Sequence, residues 1–275
     1  MIIVKFQGRL GNQIFQYAFG LTNAIKFKTV LLIDKSISNN SFFKYFKTNS
    51  ISSLNMVNSK LVRHFKKEYK EVFQTGNDSA KSIKNEVANR VYYECFFQSE
   101  KYYDAIKSDI SLRLILKKRY VELFDKKYGQ LFKENKILAI HCRLGDYIEW
   151  GSEALGGKNL SLPETYYINS LKKIKGLQGY KVIIVTDDIE NIKTKFDFIK
   201  DKIIVSNEEI MDFQILQNAH KLIISNSSFS WWGAYLNTKS ATIYAPQYWL
   251  GFKVEKEYPL SIIPNSWIKI NCYHE

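Results

Sequence analysis

The 275-residue sequence predicts an α/β fold with a parallel β-sheet, because short apolar runs alternate with stretches of helical apolar spacing. The clearest run is Ile-Leu-Ala-Ile at residues 137–140, which no polar residue interrupts. Continuous hydrophobicity is typical of a strand that is buried on both faces, as in a parallel sheet covered by helices. Similar runs recur through residues 136–275, which are therefore predicted to hold the more regular sheet.

The N-terminal half begins with the pattern strand, loop, helix, strand. Its predicted elements are a strand at 2–6, a loop at 8–12, a helix at 13–21, a strand at 30–34, and helices at 59–72 and 112–132. Residues 35–135 are irregular and rich in Lys, Phe and Tyr, so the remaining elements of this half are not specified.

The C-terminal half alternates strands and helices more regularly. Its predicted strands are 137–140, 181–185, 203–206, 222–224 and 242–245, and its predicted helices are 166–174, 211–219 and 229–236. Because composition and regularity both change near residue 136, we expect two domains, 1–135 and 136–275. The final segment, from about residue 250, is expected to pack back on the first domain.

Charge is distributed unevenly along the chain. The net charge is +13, from 40 Lys and Arg against 27 Asp and Glu. Residues 1–135 carry 24 basic and 12 acidic residues, a net of +12, and residues 136–275 carry 16 and 15, a net of +1. A strongly basic half favours nucleic acid, a membrane surface or an anionic substrate as the partner.

Composition excludes several other classes of protein. No apolar run reaches the roughly 18 residues that a membrane span requires, and the N-terminal residues lack the pattern of a signal peptide. Cys95, Cys142 and Cys272 are far apart and form no CxxC sequence, so neither a disulfide framework nor a zinc site is expected. We therefore expect a cytoplasmic protein, with the basic half able to make peripheral contact with a membrane.

The strand predicted at 137–140 ends in a His-x-Arg sequence. Ligands of open α/β sheets bind at the carboxyl ends of the strands, where His141 and Arg143 alternate and so share a face. Arg is suited to bidentate contact with a diphosphate. Gly145 allows a tight turn, and Asp146 can orient Arg143. The alternative is a structural Arg–Asp pair at the end of a strand.

Two adjacent carboxylates, Asp187 and Asp188, follow the next strand. The chain contains no Asp-x-Asp sequence, and adjacent side chains of a strand point to opposite faces, so a metal site is disfavoured. We expect these carboxylates to accept hydrogen bonds from a guanine edge or from ribose hydroxyls. The alternative is a helix N-cap followed by an acid in the first turn.

Residues 225–234, with the sequence SNSSFSWWGA, pass from a strand into a helix. Ser hydroxyls and the N–H groups of a helix N-terminus can form an anion site, although the Lys of a phosphate-binding loop is absent. The alternative is plain Ser capping above a core Trp pair.

The loop after the first strand, GRLGNQ at residues 8–13, matches a dinucleotide-binding turn only loosely, because GxGxxG is absent. We expect its backbone to approach a sugar diphosphate, with Asn12 and Gln13 hydrogen-bonding. The alternative is a simple turn with a capping Asn.

Taken together, these segments resemble the bacterial α-1,2-fucosyltransferases of glycosyltransferase family 11. The matching pieces, in family order, are GRLGNQIFQYA at 8–18, FFQSEKY at 96–102, HCRLGDY at 141–147, TDD at 186–188 and SNSSFSWWGA at 225–234. The HxRxGDY and NSSFSWWGA pieces are the specific ones, and TDD is weak on its own.

The resemblance implies a GT-B architecture, in which two Rossmann-like domains face each other across a cleft. The N-terminal domain would lie on the acceptor side and the C-terminal domain would bind the GDP-sugar. It also implies inverting transfer of L-fucose from GDP-β-L-fucose to the 2-hydroxyl of a terminal galactose, with no metal and no cofactor. The acceptor would be a glycan of the surface-polysaccharide or O-antigen type, including lipid-linked forms, and protein glycosylation is a related role.

By the same resemblance, Arg143 would hold the pyrophosphate and Asp187 or Asp188 the guanine. The expected donor-binding residues are Gly11, Asn12, Gln13, His141, Arg143, Asp187, Asp188, Asn226, Ser227, Ser228 and Phe229. The residues expected in catalysis are Asn12, Arg143 and Asp146. On the acceptor side we expect Glu94, Gln98, Glu100 and Tyr147, and the general base stays open among Asp146, Glu94 and Glu100.

Other functions remain as alternatives at this point. Within the same class, the donor or the acceptor could be a different sugar. Outside it, the basic half with its many aromatic residues would suit a nucleic-acid-binding protein, although no recognised basic motif is present. A non-catalytic sugar-binding module is a third possibility. We expect GDP-fucose and a galactose-terminated oligosaccharide as partners, and no nucleic acid.

Overall fold

The computed structural model describes residues 1–34, 40–47, 70–73, 78, 80, 88–192 and 195–274. The chain divides into two compact units, and each unit is an α/β assembly with its own parallel sheet. The first unit comprises Met1–Lys117 with Pro259–Ile262, and the second comprises Lys118–Tyr258 with Ile263–Glu275.

The described sheet of the first unit has four parallel strands in the order β2-β1-β4-β3. The strands of this sheet are β1 (Ile2–Lys5), β2 (Leu31–Asp34), β3 (Lys70–Phe73) and β4 (Val91–Glu94), and the α-helices with described bounds are α1 (Leu10–Lys26), α2 (Ser41–Tyr45) and α3 (Ile110–Arg113). Helix α1 packs closely on β1 and β2, because a Cβ on Gly20 would lie 2.6 Å from Leu31 Cδ1 and 2.9 Å from Val4 Cγ2. The predicted strand, loop, helix and strand at the N-terminus are confirmed.

The helix predicted over residues 59–72 is wrong at its C-terminal end. Residues 59–69 lie outside the described residues, and Lys70–Phe73 form strand β3, which pairs with β4. Four residues beside a Lys-rich stretch satisfy helical and strand spacing equally well, and pairing with β4 decides between them. Strand β4 was not predicted. It lies inside the sheet, between β1 and β3, and its residues Val91, Tyr92 and Tyr93 are buried.

The described sheet of the second unit has six parallel strands in the order β12-β11-β10-β5-β8-β9. The strands are β5 (Ile137–Cys142), β8 (Lys181–Thr186), β9 (Lys202–Val205), β10 (Lys221–Ile223), β11 (Thr242–Pro246) and β12 (Ile268–Ile270), with the hairpin β6 (Gly151–Ser152) and β7 (Gly157–Lys158) outside this sheet. All five predicted strands are confirmed; β12 was missed because it has three residues, two of them exposed.

The helices of the second unit are α4 (Lys118–Glu134), α5 (Glu164–Lys172), α6 (Ile189–Ile192), α7 (Glu209–Asn218) and α8 (Ser228–Tyr235). Helix α4 begins six residues after the predicted start at Leu112. It belongs to the second unit because Tyr120, Phe124 and Tyr128 are buried, and Gln214 Nε2 of α7 donates to the Tyr120 carbonyl at 3.0 Å.

The division between the units therefore falls one helix earlier than the predicted boundary after residue 135. The change in composition at residue 136 marks the start of β5 rather than the start of the unit. Of the final segment, Pro259–Ile262 belongs to the first unit, where Ser99 Oγ donates to the Ser261 carbonyl at 2.7 Å. The rest belongs to the second unit. Among the described residues, no helix is long and apolar enough to cross a membrane.

One buried carboxylate in the second unit predicts a pH-dependent stability. Asp212 of α7 accepts hydrogen bonds from Asn207 N at 3.0 Å and Asn207 Nδ2 at 2.7 Å. Burial outweighs these bonds and raises the pKa of Asp212 to about 6. The folded chain then holds this proton where the unfolded chain has released it. The contribution of Asp212 to the free energy of unfolding is therefore lost as pH rises from about 4 through 6. The loss is at most about 1.4 kcal/mol for each pH unit in this range.

The near-isosteric variant Asp212→Asn cannot ionise, so we expect its free energy of unfolding to fall less than that of the parent between pH 4.5 and 7.5. Urea unfolding of both proteins across this range measures the difference between their free energies of unfolding at each pH. In that difference, the contributions of the other titrating groups cancel. Parallel curves for the two proteins would contradict the prediction.

Candidate functional site

The strand order of the second unit creates one position where a ligand is expected. Strands β8 and β9 follow on one side of β5, and the chain then returns to place β10 on the other side. The reversal between β5 and β10 is a topological switch point, where open α/β sheets bind ligands beyond the carboxyl ends of the strands. His141 at the end of β5 meets Ser225 after β10, with Nδ1 2.7 Å from Oγ. The two most specific sequence motifs therefore meet at this point.

His141 is a buried, neutral member of this site. Burial and the nearby charge of Arg143 lower the pKa of His141 to about 3. The imidazole also lies beside the ring of Phe229, with 5.6 Å between ring centroids. A histidine that stays neutral across the physiological range is suited to hydrogen bonding and packing rather than to proton transfer.

Arg143 is held between two carboxylates. Its Nη2 lies 2.5 Å from Asp146 Oδ1, and its Nη1 lies 3.0 Å from Asp187 Oδ2. The guanidinium also lies over the ring of Tyr147, 5.6 Å from the centroid. The predicted pairing of Arg143 with Asp146 is present, and Asp187 is a second partner that the sequence did not reveal.

The two adjacent carboxylates after β8 have different partners from those predicted. Asp187 accepts from Leu144 N at 2.9 Å besides pairing with Arg143. Asp188 accepts from Asn191 N at 3.1 Å and Asn191 Nδ2 at 2.6 Å, and these bonds lower its pKa. Asp188 therefore caps the start of α6, which is the alternative that the sequence left open for it. Both carboxylates have partners within the protein, and the expected contact of either with guanine stays a prediction.

The N-terminus of α8 lies at the end of β10. Ser227 precedes the helix, and the N–H groups of its first turn have no partner inside the helix. Ser230 Oγ donates to the carbonyls of Ser225 at 3.2 Å and Ser227 at 3.1 Å, which fixes the approach to the helix. With Arg143 on the neighbouring strand end, this turn can bind an anionic group.

Asn226 connects this turn to the segment after Arg143. Its Nδ2 donates to the Leu160 carbonyl at 2.9 Å, and its own carbonyl accepts from Tyr147 Oη at 3.1 Å. Its Oδ1 is buried and has no hydrogen-bond partner among the described residues. These contacts give Asn226 a structural role, and they place Tyr147 within the site of the second unit.

The first unit brings its own two motifs together. Gly8 has φ +69°, and a Cβ there would lie 2.4 Å from Asn12 Nδ2, so the turn requires glycine. Asn12 Oδ1 accepts from Gln98 Nε2 at 2.8 Å, which joins the loop at 8–13 to the segment at 96–102. Asn12 and Gln98 remain partly exposed, and Gly11 is buried beside them.

Gln13 is interior to this loop rather than on its surface. It is fully buried, its Nε2 donates to the Gly8 carbonyl at 3.1 Å, and its Oε1 accepts from Phe42 N at 3.0 Å. The structure therefore assigns Gln13 to holding the loop, and it does not support the predicted contact with the donor.

The acidic residues predicted on the acceptor side are ion-paired. Glu94 Oε1 lies 2.5 Å from Lys5 Nζ, and Glu100 Oε2 lies 2.7 Å from Lys107 Nζ. Within the described part of the chain, no three His, Cys, Asp or Glu side chains are grouped so that they could hold a metal ion.

Two comparisons place the chain among known proteins. The family model described as Glycosyl transferase family 11 matches residues 1–271. The chain belongs to glycosyltransferase family 11. Relatives of this family 11 protein include an Escherichia coli α-1,2-colitosyltransferase, 29% identical over 98% of this chain and 99% of the relative. Another, the E. coli O-antigen biosynthesis glycosyltransferase WbnK, is 26% identical over 96% of this chain and 98% of the relative.

Solved structures support the same fold. The fucosyltransferase NodZ from Bradyrhizobium matches with a TM-score of 0.54 at 12% identity, over 85% of this chain and 91% of NodZ. NodZ α-1,6-fucosyltransferase soaked with GDP-fucose matches with a TM-score of 0.53 at 14% identity, over 86% of this chain and 92% of that one. These matches and the parallel sheets confirm a GT-B-like α/β fold, and the family confirms the predicted resemblance and a glycosyltransferase function.

Proposed function

We propose that this family 11 glycosyltransferase transfers L-fucose from GDP-β-L-fucose to the 2-hydroxyl of a terminal galactose, with inversion and without a metal ion. The observation that carries the proposal is the placement of Arg143 and the α8 N-terminus on adjacent strand ends at the switch point. A guanidinium and a helix N-terminus together suit a diphosphate. A crystal of NodZ, which shares the fold, was soaked with GDP-fucose, and the two E. coli relatives are named for α-1,2-colitosyl transfer and for O-antigen biosynthesis.

The chemistry follows from where charge develops. Breaking the bond between fucose and phosphate leaves negative charge on GDP and oxocarbenium character on the sugar. Donors that are already fixed in place, here Arg143 and the first-turn N–H groups of α8, stabilise the departing phosphate without reorganising. His141 and Ser225 hold the two strand ends together under this site.

The acceptor hydroxyl needs a proton acceptor as it attacks. Asp146, Glu94 and Glu100 remain the proposed candidates, and each has a cationic partner. The acceptor we propose is a galactose-terminated glycan of the O-antigen type, including lipid-linked forms. Peripheral contact with a membrane stays a prediction from the charge of residues 1–135.

A second donor is favoured by a specific observation. The relative that is 29% identical is named an α-1,2-colitosyltransferase, and colitose is L-fucose without its 3-hydroxyl. A site that hydrogen-bonds this hydroxyl would discriminate strongly against the deoxy sugar, because its polar groups would be left unpaired.

A donor screen decides between the two sugars. The purified chain is assayed with GDP-fucose and GDP-colitose on a galactose-terminated oligosaccharide, with and without EDTA, and NMR of the product gives the linkage. We expect kcat/KM for GDP-fucose to exceed that for GDP-colitose by at least about tenfold, with an α-1,2 product and no loss in EDTA. A preference for GDP-colitose, another linkage, or inactivation by EDTA would each overturn the corresponding part of the proposal.

A further inference from the structure

The two carboxylates on Arg143 differ in how firmly they are held. Asp187 pairs with Nη1 at 3.0 Å and also accepts from Leu144 N at 2.9 Å. Its side chain is 25% exposed, against 54% for Asp146. A Cβ on Gly145 would lie 2.2 Å from Asp187 Oδ2, so the backbone of the Arg143 segment packs directly on this carboxylate.

The strand register explains why Asp187 lies beside Arg143. Strands β5 and β8 are paired with Cys142 opposite Thr186, so the residues that follow them leave the sheet side by side. Asp187 is thus placed by the hydrogen-bond ladder of the sheet. Asp146 instead lies on the exposed 3₁₀ turn Gly145–Tyr147, only three residues from Arg143 in the chain.

The charges around Arg143 do not suit the arrival of a diphosphate. One guanidinium between two carboxylates has a net formal charge of −1, which would repel an incoming anion. Because the side chain of Arg143 is only 14% exposed, little of it is open to a diphosphate while both carboxylates are paired with it. Asp146, the more exposed of the two, can leave at little cost, since exposed ion pairs are weak.

We infer that Asp187 is the fixed anchor that orients Arg143, and that Asp146 occupies the position which the diphosphate takes when it binds. This inference rests on the proposed function, because it requires Arg143 to bind the diphosphate. Asp187 is then a positioning residue for Arg143 rather than a ligand of guanine. Removing each carboxylate should change the affinity for GDP in opposite directions.

The test is isothermal titration calorimetry with GDP alone. For Asp187→Asn, which keeps the shape and loses the charge, we expect Kd to rise about tenfold, the effect of one charge-assisted hydrogen bond. For Asp146→Asn we expect Kd to fall about two- to fivefold, the size of an exposed ion pair. Asp201→Asn removes an exposed carboxylate paired with Lys181 in the same unit and is expected to leave Kd unchanged.

A double-mutant cycle shows whether Asp187 acts through Arg143. In an Arg143→Ala background, Asp187→Asn should weaken GDP binding no further. An equal further loss in that background would show an independent contact with GDP and overturn the anchor role, as would an unchanged Kd for the single variant. Weaker GDP binding by Asp146→Asn would overturn the displacement. If Asp187→Asn does not fold, Gly145→Ala displaces the same carboxylate and is expected to weaken GDP binding in the same direction; unchanged affinity would overturn the anchor.

These outcomes are distinct from failure of the proposed function. If Arg143→Ala binds GDP as tightly as the parent, the diphosphate role of Arg143 fails and the inference fails with it. If Arg143→Ala loses affinity while Asp187→Asn does not, only the anchor fails.

Discussion

Arg143→Ala is expected to lower kcat/KM for glycosyl transfer by about 10²–10³-fold, the usual effect of removing one fixed donor to a developing anion. The reason is geometric: Arg143 follows β5 directly, and its guanidinium is already paired with Asp187 before substrate arrives. Initial rates with GDP-fucose, measured for both transfer and hydrolysis, give the value. Arg143→Lys keeps the charge and loses the planar fork, so its loss should be intermediate.

The matched control for this prediction is Arg119→Ala. Arg119 is an exposed arginine on α4 whose Nη2 donates to Tyr120 Oη at 2.7 Å. We expect Arg119→Ala to keep the parent rate, because this guanidinium contacts the neighbouring ring of its own helix. Equal rates for the parent and Arg143→Ala, with thermal unfolding unchanged, would show that Arg143 does not stabilise the leaving group.

Trp231→Ala is expected to destabilise the second unit by about 3–5 kcal/mol, the cost of truncating a large buried aromatic side chain. Trp231 is completely buried in α8. Its ring stacks on Tyr235 at 4.5 Å between centroids and contacts Trp232 at 4.9 Å and Trp267 at 5.4 Å. The first-turn N–H groups proposed to hold the phosphate belong to the same helix, so the packing of Trp231 also positions the phosphate site.

Differential scanning calorimetry of the whole chain measures this loss. Trp150→Ala is the control, because Trp150 is 46% exposed and its removal should change stability by less than about 1 kcal/mol. A Trp231→Ala transition that coincides with that of the parent would mean that the aromatic cluster is not what holds α8 in place.

The sequence was most informative where a strand end and a motif coincide. The runs that form β5, β8 and β10 are continuous and apolar, so the pattern of residues alone locates their ends, and with them Arg143, Asp187 and Ser227. The family match over residues 1–271 then confirmed the resemblance that these motifs indicated.

Side-chain partners could not be predicted in the same way. Asp187 pairs with Arg143, 44 residues earlier in the chain, because the register of β5 and β8 brings them together, and a one-dimensional pattern does not contain that register. Ser225 was missed as the partner of His141 for the same reason, although its alternation with Ser227 along the strand end was a usable signal. Strand β3 was missed because four residues give too short a period to distinguish strand from helix.

The short segment Pro259–Ile262 has a consequence for engineering. The first unit is not a continuous piece of chain, since Ser261 supplies the carbonyl for Ser99 and its hydroxyl accepts from Lys101 Nζ at 2.9 Å. A chimera that exchanges residues 1–117 between relatives at a single junction would separate those residues from their native four-residue insert. The first unit can therefore be exchanged intact only when both pieces are replaced together, which requires three junctions, after residues 117, 258 and 262, rather than one.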